Sequence, residues 1–200
     1  MIQIIKVIRN SVCILICISL VTLCGCNKQQ SISTVGGADA PKLVYESILT
    51  YASHGIGDQN TFITNSLNFG KMSESKVSHL PIFKFESKEE LSQFKATILK
   101  SYNLDSSHND VPSFNSATLK YDDNHFEEKT ILLVCIPATS GSVRHYVKNI
   151  DIENENLCVS VGVNSPNTVT MDLVSWFIVI SIDKKAISNV SSFDAVYFGG

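Results

Sequence analysis

Two stretches of this chain set reactive side chains close together. Residues 137–145, PATSGSVRH, bring Ser140 and Ser142 beside Arg144 and His145, and residues 121–129, YDDNHFEEK, pack four acids around His125. A serine nucleophile needs an imidazole within hydrogen-bond reach and a third group that orients it. If the chain after Ser142 is extended, Ser142 and His145 point to opposite faces. Serines flanking a glycine also bond readily to nearby backbone and shape turns. The chain carries no HExxH, GxSxG, glycine-rich phosphate loop or paired CxxC, so the signatures of common hydrolases, nucleotide binders and zinc sites are missing. No catalysis is expected here. Calcium would require about six to eight oxygens on a loop with a glycine turn, which residues 121–129 lack, whereas acids at a helix start serve as caps. His54, His79 and His108 lie in polar segments without partners at ligand spacing. No metal or cofactor is expected.

A third constellation joins Arg144 to Asp172 and to the only tryptophan, Trp176. Loops 137–142 and 164–173 both connect strands predicted to be consecutive and antiparallel, so these residues should gather at one end of a sheet. Two readings follow. In the favoured one, Arg144 and Asp172 lock the loops through a bidentate ion pair while Trp176 packs beneath. In the other, Ser140, Ser142, Arg144, Asp172 and Trp176 form a binding surface, since loops on a rigid scaffold carry recognition and Trp and Arg dominate interfaces.

The elements that must position these residues can be read from periodicity. KLVYESILTYA (42–52) alternates Leu43, Tyr45, Leu49 and Tyr51, the pattern of a strand with one buried face. TFIT (61–64) is a short strand candidate and LPIFKF (80–85) another. Ser87-Lys88-Glu89-Glu90 is a capping box, and Leu91, Phe94, Ile98 and Tyr102 follow at helical spacing. Ser113 to Lys120 suggests a short helix. TILLVCI (130–136) and SWFIVISI (175–182) are apolar on both faces and must be central strands. VRHYVKNIDI (143–152), a hairpin loop at ENEN (153–156) and LCVSVGV (157–163) supply two more, and DAVYF (194–198) is expected as an edge. The fold class is α+β, a mostly antiparallel sheet arranged as a meander with one main helix packed on it. In a meander, Cys135 and Cys158 lie two strands apart, ~9.5 Å by strand spacing, beyond the ~7 Å limit for a disulfide. Both are expected to be free thiols.

The N-terminus fixes location. Lys6 and Arg9 precede an uncharged run from Ser11 to Leu23, the length of a signal h-region and short of the ~20 apolar residues that span a bilayer. Leu23-Cys24-Gly25-Cys26 resembles the lipobox of bacterial lipoproteins, with cysteine where alanine or serine is usual. Residues 1–25 then form a signal peptide, Cys26 carries the lipid, residues 26–40 form a flexible tether and 41–200 one α+β domain. An uncleaved anchor helix is the alternative; either places the domain on the extracytoplasmic side of the cell membrane. Cleavage takes the basic count from 16 to 14 against 19 acids and the formal charge from −3 to −5, which argues against nucleic acid as a partner.

Taken together, HLPIFKFESKEELSQFK, DVPSF, YDDNHFEEKTILLV, PATSGSVRHYV and TMDLVSWFIVI resemble a group of lipoproteins of Gram-positive gut bacteria that look like the C-terminal domain of the PrcB-type subunit of a surface protease complex. The resemblance covers residues 79–200, most specifically Ser140-Gly141-Ser142 with Arg144 and Asp172 with Trp176. It implies a non-catalytic accessory subunit that binds and stabilises other surface proteins. The functional expectation is a lipid-anchored protein-interaction module without enzymatic activity; the alternative is an extracytoplasmic small-molecule or glycan binder in which Tyr45, Tyr51, Tyr146 and Trp176 supply stacking faces.

Overall fold

A computed structural model describes residues 30–35, 43–54, 77–170 and 172–198. The expected signal peptide, the expected lipidation site at Cys26 and the strand expected at 61–64 lie outside the described residues. Among the described residues ten strands run in chain order: β1 (Gln30–Val35), β2 (Leu43–His54), β3 (Val77–His79), β4 (Ile82–Phe85), β5 (Tyr102–Asn103), β6 (Lys129–Ser140), β7 (Arg144–Glu153), β8 (Asn156–Asn164), β9 (Leu173–Asp183) and β10 (Ser192–Phe198). Three helices, α1 (Lys88–Ile98), α2 (Phe114–Thr118) and α3 (Asp123–Glu128), fall between β4 and β6, with β5 inserted after α1.

The strands form two sheets. One has the order β1-β2-β9-β6-β4, with β5 paired to β2, and all its pairings are antiparallel. The other has the order β3-β10-β8-β7, antiparallel except for β10 on β8. The fold is therefore α+β and mostly antiparallel, with one helix longer than two turns. Along β6, Leu132, Val134 and Ile136 face the second sheet, while Ile131, Leu133 and Cys135 face the helices. β9 divides likewise, with Trp176, Ile178, Ile180 and Ile182 inward and Phe177 and Val179 outward. This is why both strands read as apolar on both faces.

The β6–β7–β8 meander does not form. β6 is flanked by β9 and β4, and β7 crosses to the second sheet to pair with β8. β7 carries one apolar face only: Val147 and Ile150 are buried while Tyr146, Lys148 and Asp151 are exposed. It lies over the first sheet with that face inward, and there Val147, Ile150, Leu157, Val159 and Val161 close the inter-sheet core. A register shift between Ile136 and Thr139 and the turn at 141–142 redirect the chain. Cys135 and Cys158 are free as expected, one buried and one half-buried, but because they belong to different sheets.

Two further expectations change. β10 is internal, paired to β3 on one side and β8 on the other, because β9 lies in the first sheet and the chain must return to the second. Residues 30–35, read from composition as tether, pair with Leu43–Ile48 as an edge strand. Helix α1 starts at the capping box: Ser87 Oγ accepts the Glu90 N–H at 3.1 Å, and Glu90 Oε2 accepts the Glu86 N–H at 2.7 Å. Its Leu91, Phe94 and Ile98 cover the outer face of the first sheet beside Phe85 and Phe177.

Candidate functional site

The residues singled out from the sequence meet at the end of the sandwich where β6 ends and β7 and β9 begin. Trp176 lies on the inner face of β9, fully buried. Arg144, the first residue of β7, lays its guanidinium over the indole with Cζ 5.0 Å from the ring centroid. Its Nη1 donates to the carbonyl oxygens of Gly141 at 2.7 Å and Val143 at 3.3 Å, and Nη2 donates to Asp110 Oδ1 at 3.4 Å. The indole is also met edge-on by Tyr51 at 5.6 Å and His108 at 5.8 Å, and those two rings lie 5.1 Å apart. The loop after β5 is drawn in by the Tyr51 N–H, which donates to the Pro112 carbonyl at 3.0 Å.

The expected bidentate pair of Arg144 with Asp172 is absent; Arg144 pairs with Asp110. The reason is Gly141, whose carbonyl accepts from Arg144 and whose N–H donates to Asp172 Oδ1 at 3.2 Å, so the two charges engage opposite poles of one peptide residue. A Cβ on Gly141 would overlap the Asp172 carboxylate and press on His108. Hydrogen bonding from Thr170, then from the backbone N–H groups of Gly141 and Asp172 itself, together with the nearby His108, holds the Asp172 carboxyl below its ordinary range despite some desolvation. Burial first, and the Asp172 charge second, raise the Tyr51 phenol.

Both serine hydroxyls are engaged in joining loops. Ser140 Oγ lies 2.9 Å from Ser142 Oγ and 2.9 Å from Thr170 Oγ1, and Ser142 Oγ accepts the Thr170 N–H at 3.1 Å. His145 turns inward instead, 2% exposed, its ring 5.8 Å from that of Tyr197. Burial, and secondarily the Arg144 charge, push its pKa down to about 4. Ser142 lies in the turn before β7 and His145 on the buried face of the strand, so the hydroxyl and the imidazole are engaged in different places.

The other candidates, including the four rings read as stacking faces, add no open ring face to this end. Tyr45, Tyr51 and Trp176 are 1%, 8% and 0% exposed, so their ring faces are spent within the protein. Tyr146 is half-exposed on the outer face of the second sheet, its ring against Gly162 where a Cβ would come within 2.6 Å of Cζ. In the acidic stretch, Asp122 caps α3 by accepting the His125 N–H at 2.9 Å, and His125 Nε2 reaches Ser181 Oγ at 3.2 Å. No group of three or more His, Cys, Asp or Glu suited to a metal occurs among the described residues.

Tyr51, His108, Asp110 and Thr170 complete the cluster and were not legible as members. Each is brought in by pairings across the chain, and His108 and Asp110 sit in a polar loop with no periodicity to read. Compared with models of known protein families, with curated proteins and with solved structures, the chain matches none.

Proposed function

We propose that this chain is a lipid-anchored extracytoplasmic protein without catalysis of its own, an interaction module or accessory subunit that uses the loop end of its sandwich as the contact surface. The observation that carries this reading is the Arg144 guanidinium stacked on Trp176 and bonded to the Gly141 carbonyl. It joins loops 104–113, 140–144 and 164–172 into one preorganised surface, and a surface ordered beforehand loses less entropy on binding. Its rim presents Asp110, Asp172 and Val169 to solvent. The PrcB-type resemblance agrees with an accessory role and involves the same residues. The alternative, a small-molecule or glycan binder, has less support because three of the four candidate stacking rings are buried.

Two measurements test the reading. Cells expressing the chain are labelled with a radioactive fatty acid; label in the parent and none in Cys26→Ser supports the anchor, and label retained in Cys26→Ser removes it. A photo-reactive residue at Val169 should then cross-link a protein on intact cells, whereas one at Glu153 should not. Equal yields from both positions would defeat the assignment of the contact surface.

A further inference from the structure

Towards the end of β9 opposite the loop end, α3 is pinned to the first sheet through one imidazole. His125 Nε2 lies 3.2 Å from the hydroxyl of Ser181, which is itself buried on the outer face. The half-buried ring sits between Tyr121, 4.6 Å away by centroids, and Phe126, 5.6 Å away. α3 has only six residues, well under the ~12 to 15 at which an isolated helix becomes even marginal in water, so its hold on the sheet depends on these side chains. The ion pair of Lys88 with Asp123, 3.5 Å apart, is exposed on both sides and contributes little. Leu119 and Lys120 ahead of α3 are exposed, whereas Lys129 after it is fixed opposite Asp183 of β9. Residues 119–128 therefore form a flap between two anchored points.

The groups that face His125 make a charge on it costly. Lys120 comes from the turn ahead of α3 and Lys129 from the start of β6, while Glu46 of β2 stands opposite Ser181 and Asp122 caps α3. Both acids are already engaged: Glu46 Oε2 lies 3.6 Å from Lys120 Nζ, and Asp122 Oδ1 accepts the His125 N–H at 2.9 Å. Burial first, then the two lysines, hold the imidazole below its ordinary range against the pull of the acids. Burial and the Glu46 charge raise the adjoining Tyr121 phenol. We propose that α3 is a proton-sensitive latch: protonation of His125 releases residues 119–128 from the outer face of the first sheet, uncovering Tyr121, Phe126 and the strand around Ser181. As pH falls through ~6.5, where a solvated imidazole gains its proton, the released flap binds a proton that the packed one binds less well, and the balance moves towards release. The latch is independent of the lipid anchor and of the loop end. His145 is held further below its ordinary range than His125, so global unfolding reports chiefly on His145, and local release must be read at α3 itself.

Amide hydrogen exchange of the full chain at about pH 7 and about pH 5, corrected for the intrinsic exchange rate, tests this. Phe126 and Glu127 read the opening of α3, and the amides of α1 serve as the internal reference. The expected result is a several-fold greater opening of α3 at the lower pH in the parent and no such rise in His125→Gln, whose amide still reaches Ser181 but takes up no proton. Lys120→Gln removes one repelling charge and frees Glu46 for the imidazole, so its rise should be smaller than that of the parent. By nuclear magnetic resonance the His125 ring should titrate below ~6.5, with the Tyr121 and Phe126 signals moving at the same midpoint. A rise of equal size in His125→Gln, a rise in α1 that matches that in α3, or an imidazole titrating at or above ~6.5 overturns the latch. If His125→Gln does not fold, the parent and Lys120→Gln decide the matter: equal rises in these two overturn it as well.

Discussion

Replacing Arg144 with alanine removes three things together: the plane covering Trp176, the donor to the Gly141 carbonyl and the partner of Asp110. A guanidinium stacked on tryptophan and largely shielded from water contributes ~1 to 2 kcal/mol. The 2.7 Å hydrogen bond from a charged donor to the Gly141 carbonyl adds ~1.5 kcal/mol. The Asp110 pair adds little, because its carboxylate is 64% exposed and such pairs contribute ~0.5 kcal/mol or less. The total is about 3 kcal/mol, which for a domain of this size lowers Tm by ~6 to 12 °C. Thermal unfolding followed by circular dichroism measures it. Emission from the single tryptophan should shift to the red as water reaches the indole. Arg144→Lys keeps the charge but loses the plane and the fork, and should recover less than half of the loss. Asp110→Ala should move Tm by no more than ~2 °C. An Arg144→Ala protein melting within ~2 °C of the parent, or Asp110→Ala costing as much as Arg144→Ala, refutes the stacking account.

Three other outcomes follow from the structure. His145 is held near pKa 4 against ~6.5 in an unfolded chain. As pH falls below ~6.5 the unfolded state takes up a proton that the folded state refuses, so stability drops by up to about 3 kcal/mol down to pH ~4 and is level below that; urea titrations across this range should show the slope in the parent and lose it in His145→Gln. Gly141→Ala should destabilise because its Cβ displaces the Asp172 carboxylate, and a double-mutant cycle should find the penalty reduced in an Asp172→Ala background; full additivity would contradict it. In native protein a thiol reagent should reach half-buried Cys158 slowly and faster at alkaline pH, since burial and the nearby Asp194, Asp151 and Glu153 raise its pKa, and should reach Cys135 only after unfolding. Modification of Cys135 in the native state, or fewer than two thiols after denaturation without reductant, would contradict the assignment of these two cysteines.

The sequence alone determined the local elements. The Ser87 capping box set the start of α1, Ser113 and Asp122 set the starts of α2 and α3, and the doubly apolar runs marked β6 and β9 as central, because capping and burial periodicity are properties of a few consecutive residues. It also brought Arg144, Trp176 and the SGS turn to one end, since loop connectivity decides which end a residue occupies. Partner choice was decided only by the tertiary structure. Arg144 went to Asp110 rather than Asp172 because Gly141 stands between them with a carbonyl on one side and an amide on the other, and β7 went to a second sheet, where its one apolar face closes the core against the first. Residues 30–35 became a strand despite a polar composition, because an edge needs backbone pairing with β2 more than it needs apolar side chains. Each of these outcomes depends on contacts between residues far apart in the chain, and composition and spacing carry no record of such contacts.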